Sequence, residues 1–303
     1  MRQLPSALVI VMSLMGSAYA EGDALIDQLG PREIAVGEAL RGGATGASAI
    51  GLNPSGIPLN RELVFEGGYG YRLADQASLV GVSACDSTSA IPGCFYYSYA
   101  GSSPDDAGMT LSRRTHMAGS SVAYPITPRV FLGSSIKYFH FNSDVPGEMK
   151  ASGFNWDIGT TLRITDLVTI GATGYNLWGA DSPEFARALG GGVLARPSTM
   201  LALSFDARWK LDGDDHSARY GGGAELFLSP GNGQSGFPIR AGALRDNGLG
   251  TTYLSAGLGY ASMKLAIDVA GRFAVTGKDD TMFIASMRFY GPRLRAPALD
   301  AAE

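Results

Sequence analysis

Beyond residue 60 the chain alternates. Between 201 and 211 one parity carries Leu201, Leu203, Phe205, Ala207, Trp209 and Leu211, while the other carries Ala202, Ser204, Asp206, Arg208 and Lys210. Residues 263–275 repeat the pattern, with Met263, Leu265, Ile267, Val269, Phe273 and Val275 against Lys264, Asp268 and Arg272. Trp156, Ile158 and Leu162 oppose Asn155, Asp157 and Arg163, and Phe283, Ala285, Met287 and Phe289 oppose Ser286 and Arg288. Period two means strands with one apolar face, because successive side chains of a strand point to opposite sides.

About fourteen such segments follow one another, near 61–72, 76–85, 94–101, 111–124, 129–142, 152–164, 167–178, 186–196, 199–211, 217–229, 236–245, 250–261, 262–275 and 280–290. The breaks hold turn residues: Pro125 to Pro128, Asp212 to Asp215, Asp246-Asn247-Gly248 and Gly277 to Asp280. Tight turns near 125–128, 164–166, 196–198 and 261–262 alternate with longer polar connections near 102–110, 142–151, 178–186 and 212–216. An even strand count brings both ends to one side, and in an outer-membrane barrel the short turns share that periplasmic side.

A soluble sandwich also alternates. The number of strands favours a different solution. A bilayer satisfies no backbone groups, so strands cross it only in a closed antiparallel barrel, apolar residues facing lipid and polar ones the lumen. The expected fold is an all-β transmembrane barrel over residues 61–291, followed by a tail at 292–303.

Composition agrees. Glycine contributes 42 of 303 residues, about twice average usage, and charged residues 17% where ~25% is ordinary. With 45% hydrophobic residues and a formal charge of −4, neither a disordered chain nor a basic nucleic-acid binder is expected. Residues 1–20 read as a signal peptide: Arg2, an apolar stretch from Leu8 to Met15, and the cleavage signal Ala18-Tyr19-Ala20. Its apolar run is shorter than the roughly 20 residues of a helical span. The chain is therefore read as exported.

Residues 21–60 differ from the rest. Leu29 to Gly46 lacks alternation and is broken by glycines, and it leads through Ala47-Ser48-Ala49-Ile50-Gly51-Leu52 into Asn53-Pro54-Ser55-Gly56. Here the sequence resembles the FadL-type outer-membrane transporters of long-chain fatty acids and other hydrophobic compounds, and also their PorV-type relatives of type IX secretion. In those families a Gly/Ala-rich segment ending in an Asn-Pro-Ala-Gly-like motif forms a hatch inside a fourteen-stranded barrel; this chain has Ser55 where Ala is usual. Later echoes are Val122-Ala123-Tyr124-Pro125 to Leu132-Gly133, Ile170 to Thr173 followed by Asn176-Leu177, and Thr252 to Tyr260. The resemblance implies a hatch at 21–60 with its turn at Asn53, Pro54 and Gly56. It also implies an outer-membrane location and passive uptake of hydrophobic small molecules. The alternative is a PorV-like, non-conducting component that escorts exported proteins, with secretion-system proteins as partners. The outer loops are shorter than those of FadL-type transporters, which suits the alternative.

Catalytic motifs are not found. His116, His140 and His216 stand far apart, outside any metal frame, and read as loop or interface residues; no G-x-S-x-G elbow and no phosphate loop occurs. No enzyme, metal or cofactor is expected, and the partners are outer-membrane lipid, lipopolysaccharide and a hydrophobic ligand, without nucleic acid. Acid pairs at Asp105-Asp106, Asp214-Asp215 and Asp279-Asp280 read as solvated turns, with ion bridging to lipopolysaccharide as their functional reading. Asp157, Asp206, Arg208, Lys210, Glu225, Arg240, Lys264, Asp268 and Arg272 carry mixed signs on the inward parity. They predict a lumenal salt-bridge lattice that anchors the hatch, since a charge-selective pore would use rings of one sign. Cys85 and Cys94 end one strand and begin the next, close enough across an antiparallel pair for a disulfide in an oxidising compartment.

Overall fold

The computed structural model describes residues 30–106, 109–146, 148–179, 185–212, 217–230, 235–277 and 279–291. The expected signal peptide, residues 21–29 of the expected hatch, the tail, His216 and the Asp214-Asp215 pair lie outside the described residues.

Fourteen antiparallel strands close a barrel, each paired with its sequence neighbour. In chain order they are β1 (Leu63–Arg72), β2 (Ala77–Asp86), β3 (Gly93–Ser102), β6 (Arg113–Pro125), β7 (Val130–Ser143), β8 (Ala151–Arg163), β9 (Val168–Gly179), β10 (Ala188–Ala195), β11 (Leu201–Lys210), β12 (Ala218–Leu228), β13 (Ser235–Asp246), β14 (Thr251–Ser262), β15 (Leu265–Thr276) and β16 (Met282–Tyr290). A small hairpin of β4 (Asp105–Asp106) and β5 (Met109–Thr110) rises from the connection between β3 and β6. Closure is made by β1 and β16, in register from Val64↔Tyr290 to Arg72↔Met282. No sheet edge remains in the barrel, which removes the row of unpaired backbone groups that an edge presents.

The alternation is that of a barrel with an apolar exterior. On β11, Leu203, Phe205 and Trp209 are exposed, while Asp206 and Arg208 are buried. On β15, Ile267, Val269 and Phe273 are exposed, while Asp268 and Arg272 are each 2% exposed. Exposed aromatic residues gather toward both ends: Tyr97, Tyr138, Trp156, Trp178 and Trp209 toward the longer connections, Phe65, Phe95, Tyr124, Phe237 and Phe289 toward the tight turns. Such girdles belong to the two interfaces of a bilayer. Among the described residues no helix is long and apolar enough to cross a membrane.

Residues 30–59 form α1 (Pro31–Ala35), α2 (Ala47–Leu52) and a 3-10 helix at Pro54–Leu59, joined by turns. Pro31 at the first position starts α1 at no cost in hydrogen bonds. The segment touches inward-facing residues of strands all around the barrel, so it lies in the lumen. Its Ile34, Ala35, Val36, Ala39, Leu40 and Ala44 are at most 3% exposed.

Two sequence expectations are corrected here. The strand expected at 262–275 begins at Leu265, because the Ser262 hydroxyl closes a turn by accepting from the Leu265 N–H at 3.2 Å. Lys264 is consequently an exposed turn residue and no part of the lumenal lattice. Asp280, expected in a solvated turn, faces inward and pairs with Arg72 and Arg272.

Candidate functional site: a plugged lumen and its cavity

The lumenal segment is fixed by polar contacts that a buried backbone requires. Pro54 restricts the residue before it to extended backbone, and Asn53 is extended, with φ −163°. Fully buried, Asn53 caps the 3-10 helix by accepting from the Ser55 N–H at 3.2 Å. Its amide donates to the Arg41 carbonyl at 2.9 Å, and to Thr160 O and Thr161 Oγ1 of β8 at 3.1 and 3.0 Å. The Ser55 hydroxyl lies 2.7 Å from Asn53 Oδ1 and 2.8 Å from Thr161 Oγ1, so the serine joins the same network. Tyr175 of β9 donates to the Leu52 carbonyl and accepts from Arg41 Nε.

Glycines let the segment meet the wall. A Cβ at Gly171 would overlap the Arg41 carbonyl oxygen, and one at Gly221 that of Gly37. Gly56 serves within the segment, where a Cβ would overlap the Ala44 carbonyl oxygen.

Ion pairs tie segment and wall together. Arg41 binds Asp206 through its backbone N–H at 2.8 Å and its guanidinium at 3.1 Å, both groups being buried. Glu38 meets Arg272 at 3.0 Å and Arg219 at 3.7 Å. A longer chain of alternating sign runs Arg32–Glu225–Arg240–Asp268–Arg288–Glu66, with contacts of 3.0, 2.6, 2.5, 3.0 and 3.1 Å. Beside Glu225, the Arg32 guanidinium is held above its ordinary pKa. Its neighbour Glu33 shows the opposite situation for a carboxyl: burial first, then Glu66, pushes its pKa up.

The helices of the segment pack most closely against β6 to β8 and β13 to β15, and its turns meet Gly171 of β9 and Gly221 of β12. Toward β16, β1, β2 and β3 it leaves a cavity of about 70 Å³, between Gly30, Pro31, Glu33, Ala47 and Ser48 of the segment and wall residues that include Gly68, Leu79, Tyr99, Met282 and Ser286. Nearer the tight turns, a polar cavity of about 100 Å³ lies along the same strand pair, and both share Glu66.

No family model matches the chain, and no curated protein sequence matches it. Solved structures do. The toluene transporter TodX of Pseudomonas putida superposes with a TM-score of 0.66 at 12% identity, over 86% of this chain and 97% of that one. The monoaromatic hydrocarbon channel CymD gives 0.62 at 15% identity, over 86% and 97%. A Pseudomonas aeruginosa FadL homologue gives 0.58 at 12%, over 86% and 96%. The fold is that of the FadL-type channels.

Within this FadL-type barrel the expected site residues separate into groups. Asp206, Glu225, Arg240, Asp268 and Arg272 join the pairs just described. Asp157 pairs with Lys137 at 2.9 Å and accepts the Asn176 N–H at 2.7 Å, within the wall. Arg208 stacks over the Tyr175 ring, its guanidinium carbon 4.7 Å from the centroid, and Lys210 lies at the end of β11. Cys85 and Cys94 face each other across β2 and β3 and are disulfide-bonded. His116 and His140 are cross-strand neighbours on the exterior, with His116 Nδ1 2.8 Å from the Tyr97 hydroxyl. Among the described residues, no group of three or more His, Cys, Asp or Glu is placed to hold a metal.

Sequence reasoning missed Arg32, Glu33, Glu38 and Arg41, the charges carried by the segment itself. A signal was present. Four charges in a Gly/Ala-rich stretch assigned to a lumen need partners there, because a buried charge without one is expensive.

Proposed function

We propose that the protein is an outer-membrane channel for passive uptake of hydrophobic small molecules, with residues 30–59 acting as its hatch. One observation carries the reading: the lumenal segment packs against β6 to β8 and β13 to β15 yet leaves a cavity beside β16, β1, β2 and β3. The fold shared with hydrocarbon channels supports it. Passive uptake needs no energy cofactor and no catalytic group. The apolar exterior supplies the contact with membrane lipid, and with lipopolysaccharide at the end bearing the longer connections. Within the proposed class, a cavity of about 70 Å³ favours small compounds, whereas a long-chain fatty acid requires displacement of the hatch.

The test is uptake of radiolabelled toluene and of a long-chain fatty acid by cells that lack their own transporter and express this chain. Uptake above the empty-vector rate is expected for toluene. A barrel that assembles yet transports no hydrocarbon, aromatic or fatty acid would favour the non-conducting escort reading, in which secretion-system proteins are the partners; short connections such as Leu73–Gln76 and 247–250 speak for that alternative.

A further inference from the structure

The cavity beside β16, β1, β2 and β3 has apolar walls from Pro31, Leu79, Met282 and Ile284. Polar groups interrupt them, among them Ser48, Glu66, Ser83 and Ser98, and two buried ones stand without a partner. Glu33 is 2% exposed and Ser286 6%, and among the described residues neither Glu33 Oε2 nor Ser286 Oγ has a hydrogen-bond partner. Native interiors satisfy such atoms as a rule, so each orphan requires a reason. Among the described residues no Lys, Arg or His lines the cavity, and the second carboxylate facing it, Glu66, is engaged by Arg288 at 3.1 Å. In the alternating chain from Arg32 to Glu66, three cations balance three anions. Glu33 is the acid left over.

We infer that this cavity is a binding site for a small neutral molecule with an apolar body and one hydroxyl group. The inference rests on the channel reading above and narrows its substrate class. A hydroxyl is one donor with two acceptor lone pairs. It donates to Glu33 Oε2 or accepts from Ser286 Oγ, satisfying an orphan while the body fills the apolar part of the walls. A plain hydrocarbon leaves both atoms unmet. A carboxylate finds no cation among the described residues that line the cavity. The volume, about 70 Å³, exceeds severalfold the ~10–15 Å³ that one water needs and is about half the ~150 Å³ of an apolar cavity that binds benzene, so a ring enters by displacing side chains such as Leu79 and Met282.

The test uses a series built on one ring: p-cresol, toluene, p-toluate and benzylamine. Binding to the mature protein in lipid nanodiscs is measured by equilibrium dialysis, and uptake by vesicles containing it is measured in parallel. We expect saturable p-cresol binding, about 3- to 10-fold tighter than toluene, as one to two net hydrogen bonds give, and no saturable binding of p-toluate. Ser286→Ala and Glu33→Leu should each reduce the preference toward one. Ile284→Trp should abolish p-cresol binding by filling the space, and it keeps the test decisive if Glu33→Leu fails to assemble. Equal affinity for toluene, tighter binding of p-toluate or benzylamine, or no saturable binding because the cavity holds only water would overturn the site. So would binding seen only after deletion of residues 21–29, because the chain itself would then be the occupant. Vesicles that take up toluene without any preference for p-cresol would refute this inference and leave the channel standing. Retained p-cresol binding without uptake of any compound would refute the channel alone.

Discussion

The side-chain amide of Asn53 donates to the backbone carbonyl of Arg41 at 2.9 Å, closing two turns of the lumenal segment upon each other. The same amide reaches Thr160 and Thr161 of the wall, so one residue couples the segment to itself and to β8. Asn53→Ala removes these donors and leaves the Arg41 carbonyl short of a partner in a buried site, while the Ser55 hydroxyl keeps Thr161 Oγ1. The expected loss is about 1–3 kcal/mol for a buried group left unsatisfied. It should appear as a lower temperature for loss of the compact, fast-migrating form on a gel, with the barrel still inserted.

Contact with the wall depends on missing side chains. Gly171→Ala sets a methyl group against the Arg41 carbonyl, and overpacking of this kind costs about 1–3 kcal/mol. The expected outcome is a displaced segment, detected as trypsin cleavage after Arg41, which is 4% exposed in the intact protein. Gly67→Ala is the control. Its nearest neighbour is Val82 Cγ1 at 4.0 Å, and a strand alanine there should leave cleavage and stability unchanged or slightly improved.

The strands were legible because period two survives without knowledge of partners: one lipid-facing residue is apolar whichever strand lies beside it. Pairing of charges was not. Asp280 sits in a Lys-Asp-Asp run that has the composition of a solvated turn, and only closure of the barrel between β1 and β16 brings Arg72 to it. Lys264 failed for the opposite reason. The alternation of Met263 and Leu265 carries on through a two-residue turn, so the pattern placed inside a strand a residue that ends outside one. Strands β4 and β5, two residues each, are too short to show any period. The cavity was illegible because its small residues, Gly68, Gly70 and Ser83, look in sequence like the glycines that the segment packs against.

Cys85 and Cys94 are each 2% exposed and lie in one cluster with Val64, Ile57 and Met117. Reductant should reach the bond only after unfolding, so thiol titration of the native protein without denaturant should find none after mild reductant treatment. Replacing both by alanine removes a short loop closure, nine residues in separation, for which chain entropy predicts about 2–3 kcal/mol. Retained stability in the double variant would mean that strand pairing alone fixes this hairpin.

Glu33 gives the plug a dependence on pH whose sign is set by burial. Its carboxyl is pushed above the ordinary range by desolvation, then by Glu66, with Arg288 and Arg32 acting in the opposite direction. The folded protein therefore holds this proton more tightly than the unfolded chain does. Stability from this group is fully present below its unfolded value, ~4.3, and falls as pH rises through the higher folded value, because the folded protein must then hold a charge that the unfolded chain holds more cheaply. Docking of the segment, followed by trypsin cleavage after Arg41, should accordingly loosen as the pH is raised above about 4. Glu33→Gln keeps the shape without the charge. It should flatten that profile and protect Arg41 better than wild type at the alkaline end. Identical profiles for the two proteins would mean that Arg288 and Arg32 compensate the Glu33 charge in full, and the orphaned oxygen would then lose its role as the unbalanced acid of the lumen.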